Sequence, residues 1–325
     1  MDTLAFTLNA IGPLLLLGAT GYFLRKSHIL NEPFIDRLNT FVFTVALPAL
    51  IFTTIASISS FENLKWDVVL FVVAVILLIA LLAYIIIPLF NLKWPHGAVL
   101  HQGIHRGNFV FIGIPLAMRL GGQSALEVIV VFNAFLIPLT NAIALFMFAH
   151  WSKDDTKEAM TLKSVLNSTI INPIMISTVL GLLMYFALGS FESSFSDLGV
   201  IAETLEMIGS TATPLALIAI GGQFYFKRMA NFKKPLVFAV VGRMVAVPLL
   251  AFTLVYLLHS MIDFSGTWSS LIAIFASPVA IASVAVSKGM NHDSEVASHI
   301  VVLTTLVSAF TLLVIITLFR FYGLL

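Results

Sequence analysis

Long apolar runs, separated by short polar connections, recur from one end of the chain to the other. Ten can be drawn, at residues 4–24, 34–57, 67–90, 97–118, 125–150, 164–189, 201–226, 234–259, 268–287 and 295–319. Each is long enough to cross a hydrocarbon core as a helix, which takes about 20 residues. Stretches such as 68–90 show no period-two alternation, which argues against a β-barrel. Backbone groups in lipid must be satisfied within the chain, so the runs read as helices. The predicted fold class is an all-α polytopic membrane protein with ten transmembrane helices.

Composition agrees with that pattern. Hydrophobic residues make up 59% of the 325 residues and charged residues 10%, against about 25% charged in a soluble domain. The net charge of +1 favours no nucleic-acid partner. There is no cysteine, which excludes disulfides, thiolate ligands and thiol nucleophiles. Met1, Asp2 and Thr3 lack the basic start of a signal peptide, so residues 4–24 are expected to be a retained first span.

Basic residues set the expected orientation, because Lys and Arg are kept on the cytoplasmic side. Thirteen of the 17 lie in or beside odd-numbered connections, among them Arg25, Lys26, Arg37, Lys93, Arg106, Lys163, Lys227, Lys234 and Lys288, while Arg243 falls in the first half of span 8. Both termini are therefore expected outside, in a multi-pass protein of the cell membrane. Arg119 and Arg243 read as side chains near span ends that snorkel to the interface.

The prolines suggest an internal repeat. Gly12-Pro13 with Gly21 matches Asn172-Pro173 with Gly181 at a spacing of 160 residues. Pro48 matches Pro214 at 166, and Pro115 matches Pro278 at 163. The expected division is a first five-helix repeat at 1–150, a short cytoplasmic linker at 151–163 and a second, inverted repeat at 164–325.

Spans 4 and 9 carry the candidate chemistry. Proline removes an amide donor and clashes with the preceding turn, so Pro115 and Pro278 are expected to break their helices. Two inverted broken helices crossing at equal depth would aim half-helix N-termini at the membrane centre, a place suited to an anion. Between residues 105 and 118, and between 271 and 287, there is no acid. The crossing is read as offering amides, Asn108 and Ser277. A cation or proton exchanger would want a buried carboxylate there, and a transporter-like sensor would look the same in sequence. Membrane-embedded catalysis finds no paired aspartates and no Gly-x-Ser-x-Gly. No catalytic residue, cofactor or metal site is expected, and His96, His101 and His105 lack the H-E-x-x-H spacing of a zinc site.

At these residues the chain resembles the auxin efflux carrier family, which includes plant auxin exporters and bacterial malate and malonate carriers. Asn39-Thr-Phe-Val-Phe-Thr-Val-Ala-Leu-Pro48 is similar to the family's span 2 segment, and Asn108 with Gly113-Ile114-Pro115-Leu116 to its N-T-x-x-x-G-I-P-L. Asn172-Pro173, Ser177 and Gly181 resemble its N-P-x-x-x-S-x-x-x-G, and Pro278 with Ser287-Lys288 its span 9 pattern. The resemblance implies a scaffold of spans 1, 2, 6 and 7 and a transport bundle of spans 3–5 and 8–10. It also implies an elevator mechanism and a homodimer. It places a small organic anion at Asn108, Gly113, Ile114, Pro115, Ser277 and Pro278, with Ile51 and Asn133 nearby. Ile51 and Phe109 depart from the residues usual in the plant exporters, and there is no long central hydrophilic loop. These departures favour a mono- or dicarboxylate such as malate or malonate over auxin. His299 could titrate near neutral pH and is the candidate coupling group.

Overall fold

The computed structural model describes residues 3–57, 65–92, 96–151, 173–190, 194–222, 233–290 and 292–325. The expected linker 151–163 lies outside these apart from Trp151, and so does Asn172. Among the described residues the fold is all helical, with one isolated antiparallel bridge, Gly107 to Val279.

The chain opens with α1 (Thr3–Lys26). Next, α2 (Glu32–Phe41) runs through a wide π-turn (Val42–Ala46) into α3 (Leu47–Ala56). Then come α4 (Trp66–Leu89), α5 (Gly97–His105), a second π-turn (Phe109–Gly113) and α6 (Ile114–His150). The second half holds α7 (Pro173–Ser190), α8 (Val200–Ser210) and α9 (Ala212–Gly222). A third π-turn (Gly242–Ala246) joins α10 (Lys233–Val241) to α11 (Val247–Leu258). Last are α12 (Trp268–Phe275), α13 (Ala282–Gly289) and α14 (Ser294–Phe321).

Six helical stretches among the described residues are long and apolar enough to cross a membrane: Glu32–Ala56, Trp66–Leu89, Phe109–His150, Val200–Gly222, Lys233–Leu258 and Ser294–Phe321. The Phe109–His150 stretch has 42 residues, roughly 60 Å of helix at 1.5 Å per residue, twice the thickness of a hydrocarbon core. It contains a non-helical residue, Gly122, at φ 65° and ψ −152°. That backbone conformation is open to glycine at no steric cost, and it separates two legs of the stretch.

Each π-turn ends two residues before a proline: Ala46 before Pro48, Gly113 before Pro115, Ala246 before Pro248. A proline ring crowds the carbonyl four residues back and offers no donor to it. Widening the turn by one residue relieves both problems without ending the helix.

Glycines bring some helices together backbone to backbone. A Cβ on Gly21 of α1 would overlap the carbonyl of Ile218 in α9, and one on Gly221 would overlap that of Gly18. Gly209 of α8 rests against the backbone of Leu50 in α3, and Gly181 of α7 against Ile55 and Phe52. Small residues allow this approach, and dispersion between closely packed backbones drives association where lipid leaves little hydrophobic force. Around α4, α5, α6, α12 and α14 lies the main core, with Val68, Ile76, Leu100, Leu116, Leu136 and Phe275 fully buried. Outside it Leu16, Leu70, Leu249 and Phe310 stand largely exposed. Water would penalise so many bare apolar side chains; lipid does not.

Candidate functional site

The chain is interrupted twice at one place. Helix α5 stops at His105, and Arg106 turns to extended backbone (φ −100°, ψ 93°). Helix α12 stops at Phe275, and α13 begins only at Ala282. The two interruptions pair with each other: Asn108 N donates to Pro278 O at 2.7 Å, and Ala280 N to Arg106 O at 3.2 Å. Val279 N donates to Thr304 Oγ1 of α14 at 3.2 Å. Buried backbone groups that leave a helix need other partners, and these bonds supply them.

A guanidinium holds the same crossing from behind. Arg243, in the third π-turn, is fully buried. Its Nε donates to Ser277 O at 2.8 Å, its Nη1 to Ile104 O at 3.2 Å and its Nη2 to Ile274 O at 2.8 Å. Nη2 also reaches Ser277 Oγ at 3.1 Å, and the group lies 5.8 Å from the Phe109 ring centre. Ile104 and Ile274 belong to the last turns of α5 and α12, so the cation sits on the carbonyl ends of both half-helices. A helix C-terminus carries up to about −0.5 charge, so two of them match one guanidinium.

The other halves start toward a cavity. Asn108 caps the turn that leads into α6, its Oδ1 accepting from Phe111 N at 3.1 Å. Arg106, Asn108, Phe109, Val110 and Phe111 line a cavity of about 890 Å³ together with Ala280, Ile281 and Ala282. Its remaining wall includes Arg25, Glu32, Asp36, Asn39 and Thr40 at one side, and Thr140, Asn141 and Lys288 at others. Arg25 and Glu32 pair with each other at 3.4 Å. Arg106 Nη2 donates to Asn141 Oδ1 at 2.6 Å.

The profile of a family described as membrane transport protein matches residues 6–316 of the chain. The chain belongs to this family. It is the auxin efflux carrier family that the span 2, 4, 6 and 9 motifs resemble. One curated relative is an uncharacterized transporter of Methanocaldococcus jannaschii, 26% identical over 308 residues, covering 93% of this chain and 94% of the relative. That match, together with the six apolar helical stretches long enough to cross a membrane, makes the chain a multi-pass membrane transporter.

Of the residues expected at the transporter's site, Asn108 is on the cavity wall. Ser277 is fully buried behind the crossing, donating to Ile274 O at 3.1 Å and accepting from Arg243. Pro278 supplies the carbonyl that Asn108 N meets. Gly113 packs close to Ile129 and the carbonyl of Ala273, and Ile114 and Pro115 are buried at the start of α6. Asn133 is buried and donates to Phe109 O at 3.3 Å, bracing the π-turn from outside the cavity. Ile51 is buried in the core at α3, and His299 is buried in the second turn of α14. Of these nine residues, Asn108 alone is on the cavity wall.

Three groups at the site were not anticipated. Arg243 is buried at the crossing instead of snorkelling from a span end, and Arg106 lines the cavity instead of sitting in a solvated connection. Asn141 is the partner of Arg106. The signal for Arg243 was there: an ionisable residue inside an apolar segment is a functional candidate by default. His101 and His105 are also buried, His101 Nε2 lying 2.9 Å from Ala80 O and His105 Nδ1 2.8 Å from His101 O, so they pack α5 against its neighbours.

Proposed function

We propose that this transporter is a secondary carrier of a small organic anion, working by elevator-type alternating access. Its ten spans form two inverted five-helix repeats, and spans 4 and 9 cross at the substrate site. One observation carries the reading: Arg243 neutralises the carbonyl ends of the two half-helices α5 and α12, while the starts of the helical segments that follow them, and Arg106, line the cavity. With the negative poles covered, the open side of the crossing is left positive, by up to about +0.5 for each helix start and one guanidinium. A cation exchanger needs the reverse, and among the described residues no Asp or Glu is buried. Support for a scaffold of spans 1, 2, 6 and 7 comes from the glycine seams of α1 with α9 and of α3 with α7 and α8. Contact by backbone resists sliding, so movement falls to the other spans. The same scaffold is the surface through which a homodimer forms.

The screen that tests this uses the purified protein with malate, malonate, smaller monocarboxylates and indole-3-acetate, with and without sodium. A substrate at one hundred times its dissociation constant should add about 2.7 kcal/mol to the folded state. Reconstituted protein should then exchange labelled for unlabelled substrate across the vesicle wall. Stabilisation by sodium alone, indifferent to every carboxylate, would sink the anion reading.

Sidedness has its own test in a chain free of cysteine. Ser27 follows α1 in an odd-numbered connection, and Met261 follows α11 in an even-numbered one; both are exposed. Ser27→Cys should be labelled only from the cytoplasm and Met261→Cys only from outside. The cavity wall includes Arg25 and Lys288, so on this orientation the structure is open to the cytoplasm. Labelling from the opposite sides would invert the topology.

A further inference from the structure

We propose that Arg106 and Asn108 form a two-donor clamp for one carboxylate group, with Arg106 the residue that selects the charged form of the substrate. This deepens the anion-carrier reading and rests on it. The clamp follows from local backbone geometry. Arg106 is extended and Gly107 makes the antiparallel bridge to Val279, and in strand-like backbone residues two apart share a face while the one between them faces away. Gly107 faces backward: a Cβ there would run into Arg243 Nη2 and Ser277 Oγ. Arg106 and Asn108 face forward, and both line the cavity.

Each brings a buried donor that no protein group satisfies. Arg106 is 9% exposed and Asn108 2%. Arg106 Nη1 and Asn108 Nδ2 have no hydrogen-bond partner among the described residues. One other polar atom of each side chain is committed. Nη2 of Arg106 is tied to Asn141, which fixes the plane of the guanidinium, and Oδ1 of Asn108 caps the turn at Phe111. What is left over on both side chains is therefore donor only. A buried donor without an acceptor costs about 1–3 kcal/mol, more when charged, so the site is complementary to an acceptor that arrives from the cavity. A carboxylate accepts from an N–H of Arg and an amide at once, and charge assistance favours it over a neutral carbonyl. The acids on the wall, Glu32 and Asp36, lie at exposed positions in α2, and Glu32 is held by Arg25. The inner clamp thus has one net positive charge and takes one carboxylate; any second charged group on the substrate has to lie further out.

The test uses full-length protein and pairs of probes that differ only in charge, such as indole-3-acetate with indole-3-acetamide and propionate with propionamide. Wild-type protein is expected to prefer an acid over its amide by more than tenfold. Arg106→Gln should lower affinity for the acid about 30-fold, near 2 kcal/mol at 1.4 kcal/mol per tenfold, and leave the amide within threefold. Arg106→Lys should recover part of the loss, because charge is retained without the planar fork. Asn141→Ala, which frees the guanidinium, should give a smaller loss and serves if Arg106→Gln does not fold. If wild type binds no acid at all, the carrier reading falls and the clamp with it. If wild type binds an acid and Arg106→Gln or Asn141→Ala binds it equally well, the clamp alone is overturned.

Discussion

Arg243→Met is expected to abolish transport and to lower stability by about 3 kcal/mol. Methionine matches most of the volume and removes every donor. Three backbone carbonyls and the Ser277 hydroxyl are then left without the group that meets them. An unmet buried acceptor costs about 1–3 kcal/mol. Relief from burying the charge itself offsets part of that total. The loss is larger for transport than for stability, because the two half-helix C-termini would then project uncompensated negative charge into the site. Arg243→Lys should fall between, since an ammonium has three donors and no planar fork to reach carbonyls on two separate helices. Melting in detergent and exchange in vesicles measure the two effects. A methionine variant that melts and transports like wild type would remove Arg243 from the crossing's support.

Gly107→Ala should be nearly as damaging, for want of space. An added Cβ would overlap Arg243 Nη2 and come within 2.5 Å of Phe109 Cε1 and 2.7 Å of Ser277 Oγ. Overpacking of this kind costs about 1–3 kcal/mol, and the cheapest way to relieve it is to push out the guanidinium. Transport is expected to drop at least tenfold. The two substitutions act on one contact, so their effects should not add. In the Arg243→Met background, Gly107→Ala should cost clearly less than it does in wild type. Full additivity in the double-mutant cycle would mean that the methyl group acts on something other than Arg243.

The apolar segments were legible because lipid imposes the one demand, about 20 apolar residues, that a linear sequence shows directly. That a paired break exists at spans 4 and 9 was legible from Pro115 and Pro278. Its place was not. Pro115 lies inside a continuing helix behind a π-turn, and the break falls at 106–108, in a segment without proline. Those residues leave the helix because they pair with 278–280, a contact no local propensity reveals. The site's cations were misplaced for a related reason. Orientation rules count Lys and Arg by position along the chain, and Arg106 fits such a count as well in a solvated loop as in a buried one. Only the reversal at Gly107 shows that it turns inward. Of the polar candidates, Asn108 and Ser277 both lie at the crossing, but which of them faces the cavity depends on which side Arg243 occupies.

The pairing of the two breaks also bears on how the protein is made. Arg106 O and Asn108 N find their partners at Ala280 and Pro278, some 170 residues later in the chain. At about 5–20 residues per second, the first break waits roughly 10–35 seconds in the membrane before the second emerges from the ribosome. Arg243, which covers the carbonyl end of α5, arrives late as well. During that interval the nascent first half lacks the partners of its broken backbone, so those groups must be met by the insertion machinery or by water until the second half arrives.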